Sequence, residues 1–214
     1  PLTAQGKKLN AERVAKASKL LQDGTAKQDA VLDVIASGDA DKLAFVAAIS
    51  TGPMKARALT EFKDTPRGDL DVLSEISVAD VPLSGQAVCY MSTRKLGMGS
   101  TSVTGDFRHE LGHAIHAAMM HSSLDEHIQK LHKEAMGKVK ANPAGIKTKL
   151  THEFYETTYG VIGRRALDND KEDVAEHYRG YHKAVYRTRN GEDKDALKKY
   201  KERFPGWAQL WDAW

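Results

Sequence analysis

The chain has 214 residues, 41% of them hydrophobic and 29% charged, with 32 basic against 29 acidic side chains and a formal net charge of +3. That length and composition build one globular domain with a core, or one domain plus an appended helical part, and exclude wholesale disorder. Signs that nearly cancel leave no basic field for nucleic acid, the lone Cys89 excludes an internal disulfide framework, and no apolar run approaches the ~20 residues that span a bilayer.

Residue 1 is Pro rather than Met, the start expected of a processed chain or of a piece of a longer, delivering polypeptide. No charged-then-apolar leader follows, so the expectation is a soluble protein, secreted or delivered into a target cell, otherwise cytoplasmic. Residues 8–23 carry Leu9, Val14, Ala17, Leu20 and Leu21 at helical spacings and stop at Gly24. Further helical patterns cover 27–36, 41–49 and 54–62, each closed by a run containing Gly or Pro. Residues 1–80 thus read as an N-terminal helical region with solvated charged faces, to which no chemistry attaches.

The texture changes near Val81-Pro82. Residues 86–91 (QAVCYM) form a short apolar run of strand formers in which Cys89 reads as a packed thiol, and a loop rich in Gly, Ser and Thr runs from there to Gly105. A motif helix follows, then a polar helix over 124–139, a break at 142–145, a segment over 148–160 and a helix over 171–187. In the tail, Trp207, Leu210, Trp211 and Trp214 fall at helical spacing and should dock a C-terminal helix on the core. The expected fold class is α+β, predominantly helical with a small sheet, and residues 81–214 form its chemical domain.

All nine histidines lie between His109 and His182. Three of them stand in DFRHELGHAIH, residues 106–116. On a helix His109 and His113 are one turn apart on one face, roughly 6 Å between their β-carbons, so two imidazole nitrogens can reach one zinc ion at about 2.0–2.1 Å. A zinc ion there lowers the pKa of water toward about 7 and polarises a carbonyl, while Glu110 accepts the water's proton as general base and later passes it to the leaving amine. Phe107, Leu111, Gly112, Ala114 and Ile115 are all uncharged, as a helix buried on its other face requires.

FRHELGHAI resembles the active-site helix of the zincin metallopeptidases, and the resemblance implies His109 and His113 as zinc ligands with Glu110 as catalytic base. The metzincin extension needs Gly where this chain has His116 and His where it has Met119, so metzincins are excluded.

A catalytic zinc needs a third protein ligand. His116 lies about 10 Å along the axis from His109, which suits a supporting, hydrogen-bonded role rather than ligation. His121, His127 and His132 fall in a polar stretch and read as surface residues. Glu134 sits at the short spacing of thermolysin-like enzymes but lacks an acidic partner four residues on. The stronger candidate is the helix in NDKEDVAEHYRGYH, residues 169–182, where Glu172 can ligate the metal and Glu176, one turn on, can accept the other ring N–H of a ligand histidine. Two exposed glutamates on a charged helix are the bland alternative.

HELGH followed by an N-x-x-E-D-x-A-E-x-Y helix is similar to the peptidase domain of anthrax lethal factor and to lethal-factor-like domains of bacterial toxins and phage proteins. The resemblance covers roughly residues 85–214. It implies Glu172 as third ligand, Glu176 as acidic support, and Tyr159, in its Tyr-Gly context, as the donor that stabilises the oxyanion. Residues 161–168 separate Tyr159 from Glu172 by more than the family pattern does, and Tyr155 and His152 are alternative donors.

The expected function is therefore zinc-dependent endopeptidase, a delivered toxin or effector, with zinc as cofactor and a protein or peptide substrate that pairs as an added strand along 86–91 or along a strand from the following loop. Cobalt or manganese could fill such a site in vitro. An inhibitor or immunity protein is the expected further partner. The rival readings are a structural or virion-associated zincin-fold protein with little proteolytic activity and an amidase acting on cell-wall peptides.

Overall fold

The computed structural model describes residues 65–77, 87–97, 105–147 and 150–214. The four helical patterns of the N-terminal region, and the expected boundary near residue 80, lie outside the described residues. The chain divides into two compact units, Pro1–Glu110 and Leu111–Trp214, and the division falls inside the motif helix. Among the described residues the architecture is mainly helical with one small sheet, as expected, and no helix is long and apolar enough to cross a membrane.

The first unit holds a short helix α1 (Arg67–Asp71) and three strands, β1 (Glu75–Ser77), β2 (Val88–Tyr90) and β3 (Lys95–Gly97), in the order β1-β3-β2. β3 is central: it runs parallel to β1 and antiparallel to β2, with Ile76 and Cys89 both opposite Leu96. Leu96 is fully buried. β2 is the strand expected from its valine, cysteine and tyrosine. β3 falls in the loop expected after β2, where no strand was assigned to particular residues because Lys95, Leu96 and Gly97 carry little strand preference of their own. A turn at 91–94 brings β3 back onto β2, with Arg94 at φ 54° and the Thr93 amide donating to the Tyr90 carbonyl at 3.1 Å.

The motif helix α2 (Asp106–Met119) begins at the end of the first unit and continues into the second. In the second unit, α3 (Ser123–Ala141) starts where the Ser122 hydroxyl accepts from the Leu124 amide at 3.2 Å. Asp125 and Glu126 in its first turn and Lys138 and Lys140 in its last complement the helix dipole. A turn α4 (Ala144–Lys147) and a short helix α5 (His152–Phe154) lead into a π-helical turn, Tyr155–Tyr159, closed by Gly160 at φ 73°. Tyr155 and Tyr159 are driven into a core with Ala135, Val139, Val161, Ala166 and Leu167.

A 3₁₀ turn (Arg164–Leu167) then feeds the long helix α6 (Asp170–Arg189). Two helices absent from the expected set or sharpened by the structure close the unit: α7 (Ala196–Arg203), unexpected because its sequence is mostly charged, and α8 (Pro205–Ala213), with Pro at its first position. Trp207, Leu210 and Trp211 are buried as expected, whereas Trp214 is 41% exposed. His177 of α6 stacks on Trp207 with ring centroids 4.4 Å apart and planes 8° from parallel.

Candidate metal centre

α2 carries five polar side chains that are almost wholly buried: Arg108, His109, Glu110, His113 and His116. Burying so many titratable groups on one helix is costly unless they are bonded or ligated. α6 supplies the complement. Its N-cap Asn169 accepts the Glu172 amide at 3.0 Å through the side chain, which holds Glu172 in the first helical turn. α2 and α6 then cross closely at Gly112, where an added β-carbon would stand 2.7 Å from the Ala175 α-carbon and 3.2 Å from Tyr178 Cβ. Only glycine permits that approach, and it falls one residue before His113 and three after Glu172.

The consequence is a cluster in which one ligand atom each of His109, His113 and Glu172 lies within 4.8 Å of the others. Among the described residues no other group of histidine, cysteine and acidic side chains converges in this way. His113 Nε2 stands 3.5 Å from Glu172 Oε1. That gap is beyond the usual hydrogen-bond range of about 2.7–3.2 Å, and it is close to the ~3.3 Å that separates two ligands bonded to one tetrahedral zinc at about 2.0–2.1 Å. Two neutral imidazoles and one carboxylate are also a donor set that suits zinc. The residues therefore fit a bound divalent metal.

The alternatives for third ligand are placed elsewhere. Glu134 is exposed on α3. His116 is buried and donates to Asp125 of α3 at 3.2 Å through Nε2, which ties α2 to α3. Glu176 is buried and accepts from Arg179 at 2.6 Å. Tyr159 is 1% exposed and its hydroxyl donates to the Asn142 carbonyl at 2.5 Å. Tyr155 lies beside it, with its hydroxyl accepting from the Leu150 amide at 3.3 Å, and His152 is bonded to the Ile162 carbonyl at 3.0 Å. Each of these three candidate donors thus has a bond that shapes the chain between α3 and α6.

In the first unit, Cys89 is a packed thiol as expected: burial first, and then the charge of Glu110, push its pKa up to about 12, so it stays protonated and inert. Two expectations need correcting. His127 and His132 are not free surface residues. His127 Nε2 donates to the Gly206 carbonyl at 3.0 Å, and His132 Nδ1 donates to Asp173 Oδ2 at 2.9 Å. Asp173 has no exposed side-chain surface and its other oxygen lies 3.5 Å from His177 Nε2. Burial raises the Asp173 carboxyl to about 6 despite the opposing bond from His132, and the same bond raises His132. Burial holds His177 neutral, well below the usual histidine range. A histidine on a polar helix gives no sequence signal of the acid it will meet 41 residues later.

Sequence reasoning also missed Arg165. Its Nε lies 2.6 Å from Glu172 Oε2. The signal available was an arginine pair immediately upstream of an acidic helix start, inside the stretch where the chain departs from the lethal-factor-like pattern. No protein-family model, curated protein or solved structure matches the chain.

Proposed function

We propose that the chain is a zinc-dependent endopeptidase in which His109, His113 and Glu172 hold the metal and Glu110 is the general base. The observation that carries the reading is the convergence of those three ligand atoms within 4.8 Å, with Glu110 next to His109 on the same buried helix. Zinc, when bound, supplies Lewis acidity toward a peptide carbonyl and toward water. The protein's part is to aim two imidazoles from successive turns of α2, to bring a carboxylate from α6 across the Gly112 crossing, and to keep Glu110 able to take and return one proton. The resemblance to lethal-factor-like domains supports a selective toxin or effector over a general digestive enzyme. It also supports Tyr159 as oxyanion donor, a role that requires its hydroxyl to leave the Asn142 carbonyl.

Glu110→Gln is the direct test. The variant should keep wild-type zinc stoichiometry while hydrolysis of a cleavable peptide or protein, found by library screening, falls by roughly 10²–10⁴-fold. Hydrolysis undiminished in the variant sinks the mechanism. Stoichiometric zinc in a wild-type protein that cleaves nothing in the screen assigns the metal a structural role instead.

A further inference from the structure

We infer that Arg165 is a positioning residue for the metal centre, holding Glu172 so that one carboxylate oxygen alone faces the imidazoles. The inference rests on the metal reading above and adds to it a residue outside the ligand set. Arg165 Nε forms an ion pair with Oε2 at 2.6 Å while Oε1 lies 3.5 Å from His113 Nε2. The two oxygens of one carboxylate are thus divided between a guanidinium and the ligand side. A glutamate has three side-chain torsions and can swing away or present both oxygens; an ion-pair partner on one oxygen restricts that freedom before any metal arrives.

The segment that carries Arg165 is itself pinned. His152 bonds the Ile162 carbonyl at 3.0 Å, and Gly163 leaves room for the His152 ring, which an added β-carbon would approach to 3.1 Å. Ile162 lies over Gly180 of α6, where a β-carbon would collide with it at 2.0 Å. Ala166 and Leu167 are buried in the tyrosine cluster. Arg165 is therefore delivered to the first turn of α6 by a braced turn, and among the described residues Glu172 is its ion-pair partner.

A second effect opposes the first: a guanidinium repels a cation. The Arg165 side chain is 56% exposed, so water screens that repulsion, whereas the Glu172 side chain it orients is only 19% exposed. Orientation should win, and the sign of the measured change decides between the two.

The experiment uses the full chain stripped of metal, with zinc affinity measured by competition against a chromophoric chelator and thermal unfolding of the stripped protein as a control. Arg165→Gln should weaken zinc binding by roughly 10- to 100-fold. Arg165→Lys should recover part of the loss, and unfolding of the stripped protein should not move. In a Glu172→Ala background, where the histidines alone hold zinc, Arg165→Gln should have no effect. Unchanged or tighter zinc binding in Arg165→Gln, or an equal loss in the Glu172→Ala background, overturns the inference while leaving the metal centre standing. A wild-type chain that binds no zinc overturns the centre and the inference together.

Discussion

Glu172 and Asp173 are neighbours on one helix, each beside two histidines, and the two groups they form are opposite in kind. Around Glu172, ligand atoms of three residues converge within 4.8 Å and the carboxylate keeps 19% side-chain exposure. Asp173 itself has no exposed side-chain surface: Oδ2 takes a direct bond from His132 at 2.9 Å, Oδ1 lies against His177, and the His177 ring is stacked on Trp207 and bonded to the Tyr200 hydroxyl at 3.0 Å. The Tyr200 hydroxyl gives its proton to the His177 carbonyl at 3.1 Å. His177 Nδ1 must then be the donor in the ring–hydroxyl pair, which fixes the tautomer of a neutral imidazole. Identical residue types make a metal seat where their lone pairs face a common point. They make a structural group where a donor has already taken one of them: Asp173 Oδ2 is bonded to His132, while Oδ1 faces His177 Nε2 at 3.5 Å without a hydrogen bond.

Crossing the two groups by mutation gives the largest expected effect. Asp173→Ala takes from His132 its buried carboxylate partner and should destabilise the fold by about 3 kcal/mol or more, as loss of one partner from a buried polar pair does. Glu172→Ala should leave the stripped protein's unfolding nearly unchanged but lose much of the metal's contribution, which in the wild type at a zinc concentration about 1,000-fold above Kd is about 4 kcal/mol. Denaturant unfolding with and without zinc separates them. If Glu172→Ala lowers the stripped protein as far as Asp173→Ala does, the two carboxylates are not different in kind.

Gly112→Ala sharpens the comparison at its geometric origin. The added methyl meets backbone at 2.7 Å, which no rotamer change relieves, so the helices must part at a cost of about 1–3 kcal/mol. Zinc affinity should fall as well, since His113 and Glu172 sit on either side of that crossing. A variant of wild-type stability and affinity would show that the crossing does not set the ligand spacing.

The smallest effect is the pH dependence of the closed network. The bond to Asp173 raises the His132 pKa. Its contribution is therefore complete below the unfolded histidine value of about 6.5 and is lost as pH rises through the folded value. Asp173, raised to about 6 by burial, acts in the same direction at lower pH. His177 acts in the opposite one, since a histidine held neutral loses stability as pH falls below about 6.5. The stability gap between wild type and His132→Gln should accordingly shrink between about pH 6 and about pH 8, by under about 1 kcal/mol for a group this exposed to solvent. A gap that widens with pH reverses the assigned direction.

The parts of this protein legible in its sequence are those written within one or two helical turns. The i, i+4 pair His109 and His113 with Glu110 beside it, the α3 and α6 periodicities, the strand at Val88–Tyr90 and the burial of Trp207, Leu210 and Trp211 follow from local spacing and side-chain type. β3 was hidden because pairing with two neighbours, rather than the preference of Lys95, Leu96 and Gly97, makes it a strand. α7 was hidden for a similar reason: Ala196 and Tyr200, one turn apart, are the buried residues on an otherwise charged segment.

What the sequence by itself determined is the chemistry on offer: a helix with two imidazoles one turn apart and a carboxylate beside the first, and a second helix bearing acids at its start. What only the tertiary structure decided is which acid serves which partner. Glu172 and Asp173 are adjacent, but a helix turns about 100° per residue, so they face different neighbours. The choice between them is made by the crossing at Gly112, by the braced turn that brings Arg165 to Glu172, and by the packing of α7 and α8 that closes the pocket around His177. Those are contacts between residues far apart in the chain, and no local pattern encodes them.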